Sequence, residues 1–256
     1  GIRILSSLLK KNGYESQLIF LPTVDDLKRK AINTNYKYDE DVVNNIIGLC
    51  DESILIGISL MTHHYAIALE LTRRIKNSIS APVIWGGIHP TVCPAECLET
   101  ADFVCVGEAE SALIELVRRI SKGEDVSTIQ GIWLKKNGQV LNNGVGELAR
   151  DLDGLPFPDY SFNDHHLLIQ NKIAPMTSEN WRQHLLKFFP PYNNTHSNDP
   201  AYQVLSARGC PFNCTFCGEN PLSNYIYGHN YFRKRSIKNL IEELIFLIIS
   251  SIFVAT

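Results

Sequence analysis

The sequence predicts an α/β chain in two parts: a parallel-sheet domain over residues 1–145, a linker over 146–200, and a second strand–loop–helix unit over 201–256. Three observations carry this prediction. Apolar runs of strand length alternate with amphipathic segments of helical period through residue 145. The strand candidates end in glycine-rich or polar loops. A polar, proline-interrupted stretch then separates this half from a fresh apolar pattern. With 256 residues and 45% hydrophobic composition, the chain can bury one large core or two smaller ones.

The elements follow in order. Ile2 to Lys11 reads as a helix stopped at Asn12-Gly13. Gln17 to Leu21 is a short apolar strand, and Asp41 to Cys50 is helical. Ser53 to Leu60 (SILIGISL) is continuously apolar, as a strand covered on both faces must be. His64 to Asn77 places Ile67, Leu71 and Ile75 on one helical face. Pro82 to Trp85 is the next strand and ends in Gly86-Gly87; Pro94 to Glu99 is a short helix. Asp102 to Val106 is a strand ending in Gly107-Glu108, and Glu110 to Ile120 a helix. Asn137-Gly138 joins Gly131–Lys135 to Gln139–Leu141 as a hairpin. This half is a Rossmann-like or flavodoxin-like parallel sheet, whose ligands gather at the carboxyl ends of the strands. LDGLPFPDY (Leu152–Tyr160) opens the linker, which holds a short helix near Trp181 to Phe188. Tyr202 to Leu205 is a strand, Ser206 to Asn220 a loop, and Ser236 to Leu247 a helix N-capped by Ser236.

Composition excludes several classes. A net charge of −3 does not suit a nucleic-acid surface. The longest uncharged run, Leu244 to Thr256, is shorter than the ~20 residues a membrane helix needs and reads as core. No secretory signal is visible, and no internal repeat. Seven cysteines, an odd and clustered set, point to a reducing, cytoplasmic compartment and to metal ligation or buried thiols. The start at Gly1 and the end within an apolar run read as a fragment.

Three of these cysteines sit in RGCPFNCTFC, with Cys210, Cys214 and Cys217 in C-x3-C-x2-C spacing. Thiolates are the soft ligands of iron–sulfur clusters, and three on one short loop can grip three irons of a cube, leaving the fourth open. A structural zinc site needs a fourth ligand, for which His229 is available. Three buried thiols are the blander alternative.

The motif resembles that of the radical S-adenosylmethionine enzymes, whose 4Fe–4S cluster binds S-adenosylmethionine at the open iron and generates a 5′-deoxyadenosyl radical. That resemblance implies Cys210, Cys214 and Cys217 as cluster ligands, Phe216 near the adenine, and an external flavodoxin- or ferredoxin-type electron donor. The loops Ser59-Leu60-Met61-Thr62, Gly86-Gly87-Ile88-His89-Pro90 and Gly107-Glu108-Ala109-Glu110, with LDGLPFPDY, resemble the cobalamin-binding domain that precedes the radical core in many of these enzymes. They imply cobalamin contacts at Ser59, Leu60, Thr62, Gly86, Gly87, His89, Gly107 and Glu108. An Asp-x-His-x-x-Gly cobalt-ligand motif is absent, and His63, His64 and His89 read as hydrogen-bonded loop histidines. The resemblance implies that residues 201–256 open a partial radical-enzyme (β/α) barrel, and that the reaction is methylation of carbon or oxidative ring closure on a small molecule the sequence does not identify.

Alternatives attach to other residues. Cys93, Cys97 and Cys105 invite comparison with methylthiotransferases and their second cluster; with Cys50 they read better as small buried hydrophobes. Glu108 and Glu110 could form a paired acid/base but read better as a solvated loop or a helix N-terminus; Arg233-Lys234-Arg235 reads as a solvated basic run, although the resemblance implies that an arginine near this place helps order the cluster region. No Gly-Gly-Glu-like stretch follows Cys217, so an inactive cluster- or corrinoid-binding fragment is a further alternative, as is a zinc-stabilised interaction domain.

Overall fold

Helix α1 (Ile2–Lys11) and strand β1 (Leu18–Phe20) open the chain. Helix α2 (Glu40–Cys50), β2 (Ile56–Ser59), α3 (Tyr65–Ser78) and β3 (Val83–Gly86) follow, then the short helices α4 (Ile88–Val92) and α5 (Pro94–Cys97). Strand β4 (Phe103–Cys105), α6 (Glu110–Lys122) and the hairpin β5 (Ile132–Lys136) and β6 (Gln139–Leu141) complete the first half. The computed structural model describes residues 1–21, 37–188, 204–212, 214–218, 222–228 and 231–249, with backbone alone at 185–188, 224–225 and 248–249.

Strands β2 to β6 form one sheet in sequence order. β2, β3 and β4 are parallel, with Ile56 opposite Val83 and Trp85 opposite Val104. β5 joins antiparallel to β4, and the hairpin reverses through Asn137 (φ 54°) and Gly138 (φ 77°), the left-handed pair that a two-residue turn requires. Alternation along the strands splits the core. Ile56, Val83, Trp85 and Val104 pack with α2 (Val42, Val43, Ile46) and α3 (Ala68, Leu71, Ile75). Ile84, Cys105 and Ile132 point to the other face, against Ala112 and Leu116 of α6. Each such aliphatic side chain contributes roughly 1.5–3 kcal/mol by burial. Trp85 is fully buried, donates from Nε1 to Thr72 Oγ1 at 2.9 Å, and meets Tyr65 edge-on.

The first strand departs from the expected sheet. β1 lies parallel to β7 (His165–Ile169), which forms a hairpin with β8 (Lys172–Pro175). The segment read as linker therefore supplies two strands of a three-stranded sheet, order β1–β7–β8, followed by α7 (Ser178–Phe188). Arg3 explains the partnership. It is buried in α1 with its guanidinium 4.5–4.6 Å from the ring centres of Phe20, Tyr160 and Trp181, and it donates to the Asp159 carbonyl. Such desolvated cation–π contacts are each worth up to about 2 kcal/mol. Beside it, Asp159 accepts from Ser6 Oγ (2.6 Å) and Ser161 (Oγ 2.7 Å) and lies 3.0 Å from Lys10 Nζ and 3.1 Å from His165 Nε2.

The last unit is smaller. The strand expected at Tyr202–Leu205 is not formed at 204–205, and 202–203 lie outside the described residues. Instead β9 (Ala207–Arg208) pairs antiparallel with β10 (Arg233–Lys234), a wide π-helical turn spanning 222–227 between them. Helix α8 (Ile237–Ile249) follows, with Ser236 Oγ accepting from Asn239 N at 3.1 Å as its N-cap. The reading of Leu244 onward as core needs correction. Ile237, Ile241, Leu244, Ile245 and Phe246 are exposed. The buried side of α8 carries Asn239, Glu243 and Leu247, because Arg235 pairs there with Glu243 at 2.5 Å and bonds Asn239 at 2.7 Å. Residues 250–256 lie outside the described residues. Among the described residues no helix is long and apolar enough to cross a membrane.

Candidate functional site

The loops singled out in the sequence leave the carboxyl ends of β2, β3 and β4 side by side. The first two are tied by backbone: Leu60 N donates to Gly86 O (2.9 Å). Gly87 sits at φ 101°, ψ −167°, a region open only to glycine, and an added Cβ would lie 2.7 Å from Leu60 O. Gly86 is different, since its Cβ would meet only Cys105 Cβ at 3.8 Å. Gly107 (φ 98°) packs on Val145 and Tyr227, and its N–H donates to Thr91 Oγ1 at 3.1 Å. Protein–protein approach thus already explains Gly87 and Gly107.

The exposed part of this edge is a shelf of small polar and apolar groups. Ser59 and Thr62 are exposed, as are Met61 (49%), Ile88 (39%) and Val92 (46%). The side chain of Leu60 is buried in the core, so only its backbone serves the loop. His89 is also buried, its ring 4.9 Å from that of Tyr65 and tilted by 57°, and among the described residues neither ring nitrogen has a hydrogen-bond partner; Glu96 is 3.8 Å away. A buried imidazole without partners is costly. His89 is therefore not simply a hydrogen-bonded loop histidine.

The third loop is engaged differently. Glu108 accepts two bonds from Arg233 (Nη1 2.8 Å, Nη2 2.7 Å), one from Ala149 N (2.8 Å), and pairs with Arg208 Nη1 at 3.2 Å. Arg208 Nη2 also reaches Glu110 at 2.6 Å. Burial resists ionisation of Glu108, yet Arg233, Ala149 N–H and Arg208 hold its carboxyl below the usual range. Neither acid is a solvated loop residue, and Arg233 is buried, not a solvated cation. Sequence reasoning missed this network. Its only signals were an arginine just before the glycine of the cysteine motif and a short basic run after it.

The cysteine loop rises from the β9–β10 ladder. Gly209 (φ 77°) follows Arg208, and a Cβ there would lie 2.6 Å from Tyr231 O. Cys210 and Cys217 are half-buried and Cys214 exposed; all three are free thiols. Cys217 N donates to Cys214 O at 3.1 Å, closing a turn, and Phe212 and Phe216 stand exposed. Among the described residues no three His, Cys, Asp or Glu side chains converge on a single-ion site. A cube spreads its thiolates over separate irons and does not ask for such convergence. His229, the candidate fourth zinc ligand, lies outside the described residues. The other cysteines are unlike these. Cys50, Cys97 and Cys105 are buried, and burial pushes their thiols up to about 11, about 12 and about 12; Cys93 is half-buried.

Comparison with known proteins agrees with this layout. Residues 1–117 match the family described as the B12 binding domain. An uncharacterized methyltransferase of Pyrococcus horikoshii is 30% identical over 212 residues, 81% of this chain and 37% of that protein. An anaerobic magnesium-protoporphyrin IX monomethyl ester cyclase of Synechocystis sp. is 23% identical over 188 residues, 71% of this chain and 32% of that one. The chain thus spans well under half of these relatives. Among solved structures, the apo cobalamin-dependent S-adenosylmethionine radical enzyme OxsB superposes with TM-score 0.62 at 20% identity, over 98% of this chain and 29% of its own. The radical S-adenosylmethionine methyltransferase TsrM from Kitasatospora setae, solved with cobalamin and a [4Fe-4S] cluster, gives TM-score 0.57 at 15% identity, over 98% of this chain and 43% of its own.

Proposed function

We propose that this chain, whose residues 1–117 match the B12 binding domain family, is of the cobalamin-dependent radical S-adenosylmethionine type and brings a corrinoid and an S-adenosylmethionine-binding 4Fe–4S cluster to one edge of its sheet. The observation that carries this is the Glu108–Arg233–Arg208 clasp, which fastens the base of the cysteine loop to the loop after β4. When bound, the two cofactors supply one-electron cleavage of the sulfonium and one-carbon or radical chemistry at cobalt.

The chain's own residues divide the remaining work. Cys210, Cys214 and Cys217 hold the cluster as thiolates, accessible enough on their loop to meet iron and sulfide. Phe216, almost fully exposed, offers a stacking face for the adenine. Ser59 and Thr62 are free to donate to the corrinoid's polar tail, while Gly86 and Gly87 turn the loop that edges the shelf, Gly87 closing against Leu60. Met61, Ile88 and Val92 present the apolar surface that a large flat macrocycle covers, an exposure otherwise unfavourable in water. The orphaned nitrogens of His89 fit a polar group of the same ligand. Cys97 and Cys105, buried and held protonated, do not suit a second cluster. Methyl transfer to carbon or oxidative cyclisation of a small molecule is the reaction this pairing suits, with an external low-potential electron donor.

Anaerobic reconstitution with iron and sulfide, with hydroxocobalamin in a parallel sample, tests the proposal. About four irons per chain with broad absorption near ~400 nm supports the cluster, and corrinoid retained through gel filtration supports the shelf. One zinc per chain and no iron overturns it.

A further inference from the structure

Arg208 and Arg233 are direct cross-strand partners in the β9–β10 ladder. Like charges placed directly opposite one another destabilise a two-stranded ladder. This ladder has only two paired positions, and its other pair is Ala207 with Lys234. It closes the base of the cysteine loop, whose first ligand lies two residues beyond Arg208. The ladder alone therefore does not hold that loop in place.

The compensating charge comes from the other half of the chain. Glu108 meets both arginines, and Glu110 takes the second arm of Arg208. The acids follow β4 directly, and Ala149 fixes the arrangement from a third side, its N–H on Glu108 and its carbonyl accepting from Arg233 at 2.8 Å. Tyr227 and Tyr231, stacked 4.6 Å apart, lie over the same place, with Tyr227 against Gly107.

We infer that Glu108 and Glu110 are positioning residues for the cysteine loop: they hold the paired arginines at its base and so fix the cluster against the sheet edge that carries the corrinoid loops. This rests on the proposed cluster site, and the test separates the two. Each acid acts through the guanidinium it holds.

In the apo chain, amide exchange of residues 209–218 follows the loop without any metal. Glu108→Gln is expected to raise exchange there at least tenfold, and Glu110→Gln less, while β2, β3 and α3 stay protected. Glu115→Gln, on the outer face of α6 with Arg118 and Arg119, changes nothing in the loop. Arg233→Met and Glu108→Gln combined are expected to loosen the loop no further than Glu108→Gln alone, because they break one coupled contact. In the reconstituted protein, Glu108→Gln releases iron to a chelator at least tenfold faster. It also moves the cluster to a more positive midpoint potential, since Arg233 loses its carboxylate while Arg208 keeps only Glu110, and the added positive charge favours the added electron. Unchanged exchange in the apo loop overturns the inference, as does fully additive behaviour of the double variant. Wild-type protein that takes up no iron overturns the cluster assignment and leaves the exchange result to decide the positioning role.

Discussion

Replacing Gly87 by alanine is expected to damage the shelf far more than the same change at Gly86, although the sequence presents the two as one Gly-Gly pair. Gly87 holds φ 101° and ψ −167°. A Cβ in that region costs ~1–3 kcal/mol in backbone strain alone. It would also lie 2.7 Å from Leu60 O and 3.1 Å from Leu60 N, both backbone atoms, so relief requires moving the end of β2. Overpacking of this kind adds ~1–3 kcal/mol. A total of ~2–6 kcal/mol is a large share of the ~5–15 kcal/mol that stabilises a domain. With a urea slope of ~2 kcal/mol/M it lowers the unfolding midpoint by ~1–3 M. At Gly86 the added methyl meets Cys105 at an ordinary 3.8 Å, so less than ~1 kcal/mol is expected. Urea melts of both variants, followed by corrinoid retention on gel filtration, give the comparison. Gly87→Ala melting within ~1 kcal/mol of Gly86→Ala would refute the claim that this glycine serves the protein's own backbone approach.

Three further outcomes are expected. Alanine at Cys210, Cys214 or Cys217 abolishes the brown chromophore of the reconstituted protein, and Cys105→Ala leaves it; a cluster surviving the loss of Cys214 would remove the ligand assignment. Arg3→Met keeps the volume but loses the cation, and is expected to cost ~2–4 kcal/mol through the three ring contacts and the charged bond to the Asp159 carbonyl; amide exchange should rise together in α1, β1 and the β7–β8 hairpin, and protection unchanged within ~0.5 kcal/mol would contradict it. Burial works against the Asp159 carboxylate, but bonds from His165, Ser6, Ser161 and Lys10 hold it well below the usual range. A depressed carboxyl stabilises the fold fully above its unfolded value of ~3.9, and that contribution is lost as pH falls below it. Asp159→Asn should therefore flatten the acid limb of a thermal-stability profile below about pH 4, and a limb as steep as wild type would count against the buried carboxylate.

Local chemistry made much of this fold legible. Asn137-Gly138 encodes a turn with two left-handed residues, and the alternate helix and strand periods of residues 40–122 each need only neighbours to be recognised. Partner choice is another matter. Nothing in Leu18–Phe20 says that it pairs with residues 165–167, because the decision lies with Arg3, well outside the strand. Gly86 to Pro90 reads as a loop, yet Pro90 sits in the first turn of a helix, where its missing N–H costs nothing. In the site, the shelf residues and the three cysteines were visible as motifs. The pairing of Arg208 and Arg233 with Glu108 and Glu110 was not, although each stands in a quoted stretch, because a charged residue reads as solvated until its partner, far away in sequence, is known. The α8 stripe failed for the converse reason: apolar periodicity identifies a face but not what covers it.

Trp85 ends as more than core packing. It is one residue before Gly86, fully buried, and fixed by Thr72 and Tyr65. An indole so held emits from a single rigid environment one residue before the loop that edges the proposed corrinoid shelf. Corrins absorb strongly where tryptophan emits, so resonance energy transfer would quench Trp85 as the shelf fills. The other two tryptophans are Trp133, in β5 of the same sheet and paired with Val104, and Trp181 in the Arg3 cage. Corrinoid occupancy of the proposed shelf would then be readable by emission lifetime without any attached label.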